Sequence, residues 1–278
     1  MSLAGKTILV TGSTDGLGKL VAASLAGDGA RVLLHGRDQA KGEAVLARMK
    51  ASSRNPDLEF HRADLTSLAQ VRGLAKAVLG GHDHLEALIN NAGIALFADD
   101  TRRLSADGHE LHFQVNYLAP FLLTELLAPA LRVSAPARIV NVSSLGQAAI
   151  DFDDVMLERE YSPMRGYCQS KLAQVMNTID LAEGRKNSGV TATALHPGTY
   201  MNTNMVIGAG IKPLTPVEEG VEATRRLAIS PDVEGQTGLF YNQRTPHLAN
   251  AQAYDDHARR RLRDLSLRLT GLAPDQKP

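Results

Sequence analysis

Short apolar runs separated by longer amphipathic stretches set the rhythm of this chain. Thr7–Val10, Arg31–His35, Leu58–His61, Leu85–Asn90, Ala137–Val142, Val190–Leu195 and Thr237–Tyr241 read as strands, seven in all. The first of them carry apolar residues consecutively rather than alternately, which suits strands covered on both faces of a parallel sheet. Helical spacing fills 16–28, 38–52, 66–79, 104–131, 161–186 and 216–230, with a last helix near 247–270. Repeated strand–helix units predict an α/β fold, a doubly wound parallel sheet of about seven strands with helices on both faces. No internal repeat, low-complexity tract or linker divides the sequence, so residues 1–278 are expected to form one domain.

One segment breaks the rhythm. Residues 199–216 hold two glycines, two prolines and scattered apolar side chains, Met201, Met205, Val206 and Ile207. It reads either as a long surface connection or as a lid whose apolar side chains close over a substrate.

The first strand runs into Thr11-Gly12-Ser13-Thr14-Asp15-Gly16-Leu17-Gly18, and a helix begins near Gly16. Glycines at 12, 16 and 18 permit a tight turn and close backbone approach, while the helix N-terminus offers N–H groups and partial positive charge to a pyrophosphate. Lying between a strand and a helix, this turn predicts dinucleotide binding on a Rossmann-type domain. At the end of the second strand an acid would bond the ribose hydroxyls of NAD. Gly36 stands there, followed by Arg37, whose guanidinium suits a phosphate. NADP(H) is favoured and NAD(H) stays possible, because Asp38 could be counted as the ribose acid. Asp38 reads better as the cap of the next helix.

The composition narrows the function without naming it. The 278 residues carry 30 Lys+Arg against 30 Asp+Glu, a net charge of zero, which excludes holding a polyanion by bulk charge. One cysteine, Cys168, leaves no internal disulfide and no cysteine-rich zinc cluster. The N-terminus lacks a leader pattern, and Tyr117–Leu131 is too short and too interrupted to span a bilayer. A cytoplasmic protein acting on a small molecule, with neither nucleic acid nor membrane as partner, is expected.

Tyr167 and Lys171 lie four residues apart, on one face of a helix. A nearby ammonium favours the phenolate, so the spacing suits a general acid/base, although the same spacing occurs on ordinary helix surfaces. The company of other motifs decides. The glycine turn, Asp64-Leu65, Asn90-Asn91-Ala92-Gly93, Asn116, Ser143-Ser144, Tyr167/Lys171 and Pro197-Gly198 follow in order. Jointly they resemble the short-chain dehydrogenase/reductase family from near residue 5 to at least 242. His112-Phe113-Gln114-Val115-Asn116, Arg138 to Ser144, Tyr167 to Leu172 and His196-Pro197-Gly198 are most similar to its retinol dehydrogenase-like branch.

That resemblance implies roles. Tyr167 would exchange the proton with the substrate oxygen. Lys171 would lower the tyrosine pKa and hold the nicotinamide ribose. Ser144, rather than Ser143, would polarise the carbonyl, and Asn116 would anchor a water in a proton relay. Asp64 would meet the adenine, with Leu65 beside it. Asn91, Ala92 and Gly93 would line the cofactor cleft and Pro197-Gly198 the nicotinamide side. A homodimer or homotetramer is implied as well. The 23 residues from Ser144 to Tyr167 exceed the commonest family spacing, and the extra Asp151–Asp154 stretch is expected to form a loop at the substrate entrance.

Other signals carry less. His82 and His84 read as solvated loop residues with no third ligand, so no metal is expected. His109 and His112 read as surface or packing residues, and Cys168 as inert. The arginines from 259 to 268 are interleaved with aspartates and read as the solvated face of an amphipathic helix. The expected activity is NADP(H)-dependent interconversion of an alcohol and a carbonyl on a moderately apolar molecule. The alternative is an NADP(H)-binding redox sensor without turnover.

Overall fold

The computed structural model describes residues 2–97, 100–208 and 210–272. Of the expected domain, residues 1, 98–99, 209 and 273–278 therefore lie outside the described residues, and residue 209 belongs to the expected lid. Eight strands form one sheet: β1 (Thr7–Val10), β2 (Arg31–Gly36), β3 (Leu58–Arg62), β4 (Ala87–Asn90), β5 (Ala137–Val142), β6 (Val190–His196), β7 (Leu239–Asn242) and β8 (Thr245–His247). Their spatial order is β3-β2-β1-β4-β5-β6-β7-β8. The first seven pair in parallel and β8 pairs antiparallel to β7.

Consecutive apolar residues in β1 explain the layering. Leu9 faces one core with Leu33, Leu88 and Ile139, against α3 (Leu68–Gly81), α4 (Ala119–Val133) and α5 (Pro163–Gly184). Its neighbours Ile8 and Val10 face the other core, against α1 (Gly16–Gly27), α2 (Gln39–Ser53) and α7 (Val217–Ile229). Each buried side chain of this size contributes about 1.5–3 kcal/mol on both sides of the sheet. This is a Rossmann-type α/β fold. Strand order reverses between β1 and β4, and the crevice at their carboxyl ends is where such sheets bind ligands.

Three elements depart from the periodicity. The eighth strand, Thr245-Pro246-His247, is short, exposed and contains a proline, so it carries no apolar alternation to betray it. The helix expected over 104–131 is interrupted: Leu104 and Glu110 form a β-bridge around Gly108, a π-helix spans Phe113–Leu118, and α4 starts only at Ala119. The last helix is delayed as well. Asn250 caps a single 3-10 turn at Ala251–Tyr254, and Asp255 then accepts from the His257 and Ala258 amides to start α8 (Asp256–Thr270).

The basic run on α8 is not a solvated face throughout. Arg259 is 5% exposed and pairs with Glu183 and Asp256, and Arg263 lies 3.3 Å from Asp180 of α5. Those arginines bind α8 to the body of the protein.

Candidate active site

Hydrogen bonds from two directions build the glycine turn. Thr11 Oγ1 accepts from the Asn91 and Ala92 amides, both at 3.0 Å, and Asn91 Nδ2 donates to the Thr11 carbonyl at 2.8 Å. A β-carbon at Gly12 would stand 2.8 Å from Ala92 Cα, and one at Gly18 would stand 2.3 Å from Asn91 Nδ2. Gly12 thus lets the turn lie against the end of β4, while Gly18 lets α1 approach it. Behind the turn, Ser13 Oγ accepts from the His35 amide at 2.8 Å, and His35 Nδ1 accepts from the Gly12 amide at 3.1 Å. Burial pushes the His35 pKa down to about 4, so its ring stays neutral and keeps that acceptor.

Asp15 caps α1, accepting from the Gly16 amide at 2.8 Å, and Lys41 of α2 donates to its other oxygen at 2.6 Å. Hydrogen bonds from Lys41 and then Asn204 hold the Asp15 carboxyl down to about 2. Leu17 points into the core. At the end of β2, a β-carbon on Gly36 would lie 2.6 Å from Thr14 Cγ2, so Thr14 occupies the space that an acidic side chain there would need. Arg37 follows on the exposed surface, and its carbonyl accepts from Arg62 Nε at 3.2 Å. Asp38 caps α2 through the Lys41 amide at 2.9 Å. Asp64 turns its Oδ1 to the Thr66 amide at 3.0 Å; Leu65 is buried, and its carbonyl accepts from Gln114 Nε2.

The second half of the site forms where α5 meets the ends of β4, β5 and β6. Ser162 caps α5 by accepting from the Arg165 amide at 3.2 Å, with Pro163 at its first turn. Tyr167 and Lys171 then lie one turn apart, with Lys171 Nζ 5.7 Å from the Tyr167 ring centre. Ser144 stands beside the tyrosine ring: a β-carbon at Gly146 would lie 3.5 Å from Ser144 Oγ and 3.7 Å from Tyr167 Cε1. Ser144 Oγ accepts from the Gly146 amide at 3.0 Å, which fixes the hydroxyl beside the ring. Ser143 is occupied elsewhere, donating to the Lys171 carbonyl at 2.7 Å.

The electrostatics differ from the expected pattern. Burial pushes the Tyr167 pKa above its ordinary value, and the neighbouring Ser144 hydroxyl offsets only part of that rise. Burial also brings Lys171 down to about 7, with its Nζ donating to the Val142 carbonyl at 2.9 Å and to Gln174 Oε1 at 3.0 Å. Burial is thus the largest cause at Tyr167 and the cause at Lys171, and the expected lowering of the tyrosine by the lysine does not accompany it.

Asn116 sits in the π-helix, a distortion that recurs at functional sites. Its Oδ1 accepts from the Ile94 amide at 2.8 Å, and its Nδ2 donates to Ser170 Oγ at 2.9 Å. A β-carbon at Gly93 would lie 3.2 Å from Asn116 Oδ1 and 3.4 Å from Lys171 Nζ, so Gly93, Asn116 and Lys171 share one wall. Pro197 and Gly198 are buried just past β6, Gly198 against Met201 and Thr215.

From there residues 199–208 and 210–216 leave the sheet. Met201 packs on the core and bridges to Thr215, while Tyr200, Met205, Ile207 and Leu214 are exposed. A short helix, α6 (Asn204–Gly208), brings Asn204 Nδ2 to 3.0 Å from both oxygens of Asp15.

Several partners escape sequence reasoning. His112 is fully buried, not at the surface: its Nδ1 lies 2.8 Å from Glu110 Oε1, its Nε2 accepts from the Leu96 amide, and its ring meets Tyr167 edge-on. Gln174, Ser170 and Lys41 also touch the site, and of these Gln174 carried a readable signal, one turn beyond Lys171 on the same face. Cys168 is buried, and burial pushes its thiol pKa up, so it holds its proton.

The short chain dehydrogenase family model matches residues 6–212. Retinol dehydrogenase 13 of Mus musculus is 35% identical, covering 98% of this chain and 86% of its own length. Retinol dehydrogenase 11 of Homo sapiens is 36% identical over 99% of this chain and 89% of its own. Among solved structures, a putative uncharacterized protein from Mycobacterium Paratuberculosis superposes with a TM-score of 0.76 at 31% identity, covering 97% of this chain and 95% of that one. The Pseudomonas aeruginosa RhlG/NADP active-site complex gives 0.70 at 28% identity, over 87% and 95%. The chain belongs to the short-chain dehydrogenase/reductase family, in its retinol dehydrogenase-like branch, and is a dehydrogenase of alcohols and carbonyls.

Proposed function

We propose that the chain is an NADP(H)-dependent oxidoreductase interconverting an alcohol and a ketone or aldehyde on a moderately apolar small molecule, with Tyr167 as general acid/base. The observation carrying this reading is Ser144 Oγ beside the Tyr167 ring, both against Gly146, with Lys171 Nζ 5.7 Å over the same ring. The residues present fit a dinucleotide: the glycine turn lies at the N-terminus of α1, and the buried Lys171 amine lies beside Gly93 on one wall. When bound, the cofactor supplies the hydride.

The remaining work falls to side chains. During reduction Tyr167 donates its proton to the substrate oxygen while Ser144 donates a second hydrogen bond to it, so negative charge does not accumulate there. Lys171, with a pKa brought down to about 7, exchanges a proton readily near neutrality and can return one to the tyrosine. Asn116 keeps the Lys171 wall in register by tying Ile94 to Ser170. Arg37 supports NADP by standing just past the strand end that Thr14 closes to an acid, and the RhlG/NADP complex among the structural neighbours supports the same choice.

The chain is read as one dinucleotide-binding domain with a substrate lid over 199–208 and 210–216, whose exposed Met205, Ile207 and Leu214 suit an apolar substrate. The reading extends to a cytoplasmic homodimer or homotetramer. No helix among the described residues is long and apolar enough to cross a membrane. Replacing Tyr167 with Phe tests the proposal: carbonyl reduction by NADPH should fall by about 100-fold or more, the scale of general acid catalysis. Reduction at the parent rate would overturn it, and absence of NADPH consumption by the parent across a carbonyl panel would favour the sensor.

A further inference from the structure

Three metal-capable side chains converge where the sheet's edge strand meets α3. β3 is the terminal strand, and Glu59 and His61, two residues apart, project from the same face of it. His82 ends α3, its amide donating to the Val78 carbonyl at 2.9 Å. Its ring reaches back over the strand, with Nε2 3.2 Å from Glu59 Oε2, and His61 Nε2 lies 3.8 Å from the same oxygen. One ligand atom from each residue lies within 4.8 Å of the other two.

The hydrogen bond between His82 Nε2 and Glu59 Oε2 accounts for only part of this arrangement. One carboxylate oxygen faces two imidazoles, and the His61 contact is too long for a hydrogen bond. His61 Nε2 is buried with no hydrogen-bond partner, as is His82 Nδ1 on the far side of its ring. Buried polar atoms are ordinarily paired, so an orphaned nitrogen aimed at a carboxylate and a second imidazole points to a missing partner. A tetrahedral zinc ion with ligands at about 2.1 Å holds its ligand atoms about 3.4 Å apart, close to the two shorter separations here.

We infer that Glu59, His61 and His82 bind a borderline divalent cation of the zinc class, with water completing the coordination on the open Glu59 side. Two imidazoles and one carboxylate suit such an ion better than magnesium or calcium, which take oxygen sets. The ion clamps edge strand β3 to the end of α3, and this inference does not rest on the proposed oxidoreductase activity. It also revises the reading of His82 as a solvated loop residue, since it is 7% exposed and its two companions come from a distant strand.

The test is calorimetric titration of the chelator-treated full chain with zinc chloride, followed by thermal unfolding with and without the metal. The expected result is one equivalent bound and a raised Tm. His61→Ala and His82→Ala should abolish both effects. Glu59→Gln, on a side chain that is 47% exposed, should weaken binding while leaving the circular dichroism spectrum unchanged, which separates ligand loss from misfolding. His84→Ala should change nothing. No saturable zinc, or zinc retained at parent affinity by all three variants, would overturn the inference, as would loss of zinc in His84→Ala alone.

Discussion

Thr14 closes the end of β2 to a larger residue at position 36: a β-carbon on Gly36 would sit 2.6 Å from its methyl group. On the proposed NADP(H) reading, cofactor choice depends on two loops together. Gly36→Asp alone should impair binding of both NADPH and NADH, because the new side chain and Thr14 compete for one space. Thr14→Ala combined with Gly36→Asp should restore NADH use. Arg37→Ala should raise the KM for NADPH by roughly tenfold to a hundredfold, the scale of one charged hydrogen bond, and leave that for NADH nearly unchanged. Steady-state kinetics with both cofactors check all three outcomes.

Lys171 links the site to pH. Its folded pKa of about 7 lies below the 10.5 of a free lysine, so the unfolded chain binds more protons between those values. Stability must then rise with pH from about 7 toward 10.5, and the cost of burying the ammonium is greatest below 7. Lys171→Met should accordingly raise the Tm of the cofactor-free protein more at pH 6 than at pH 9. Thermal melts of the two proteins across that range measure the difference.

His35 gives an acid limb with the same sign. Its folded pKa near 4 is below the ordinary 6.5, so stability is lost as pH falls from about 6.5 toward 4. Protonation would also remove the acceptor that holds the Gly12 amide. His35→Asn should flatten the decline over this window, read by denaturant unfolding at pH 6.5, 5.5 and 4.5.

Glu110 and His112 form a buried pair directly behind Tyr167. Glu110 Oε2 also accepts from the Phe113 amide at 2.7 Å, so Glu110→Ala strands two donors away from water. The expected loss is on the order of 3 kcal/mol. His112→Phe keeps the packing against the tyrosine but frees the Leu96 amide, and should lower kcat more than it raises KM. Chemical denaturation and initial-rate kinetics separate the two effects.

Asn204 ties the segment after β6 to the cap of α1. Asn204→Ala removes exposed hydrogen bonds to Asp15 and should weaken cofactor binding by roughly two- to fivefold, with Tm unchanged. Fluorescence titration with NADPH reads the change.

The sequence was most legible where one residue type had one physical use. Ile8, Leu9 and Val10 announce a strand buried on both faces, and Gly12, Gly16 and Gly18 announce the turn. Tyr167 and Lys171 share a helix face at a spacing that sequence displays directly. What stayed hidden depends on contacts between distant parts of the chain. Asn204 and Asp15 are 189 residues apart, and nothing local to either marks the other. Likewise the helical periodicity around 104–131 continues through Glu110 and His112, while the bridge at Leu104 and the π-helix at Phe113–Leu118 rest on tertiary pairing. The pKa values of Tyr167 and Lys171 escaped for the same reason, since spacing reports attraction between them but not the burial that opposes it.

The short last strand has a consequence for how copies of this protein meet. Pro246 lies opposite Tyr241 in β8 and has no N–H to offer a further strand, and the three residues of β8 are too few for a stable new ladder. At that margin the sheet cannot recruit a neighbour by strand addition. The fold therefore carries its own guard against edge-to-edge aggregation there, placed where seven parallel strands would otherwise have ended in an open row of amides.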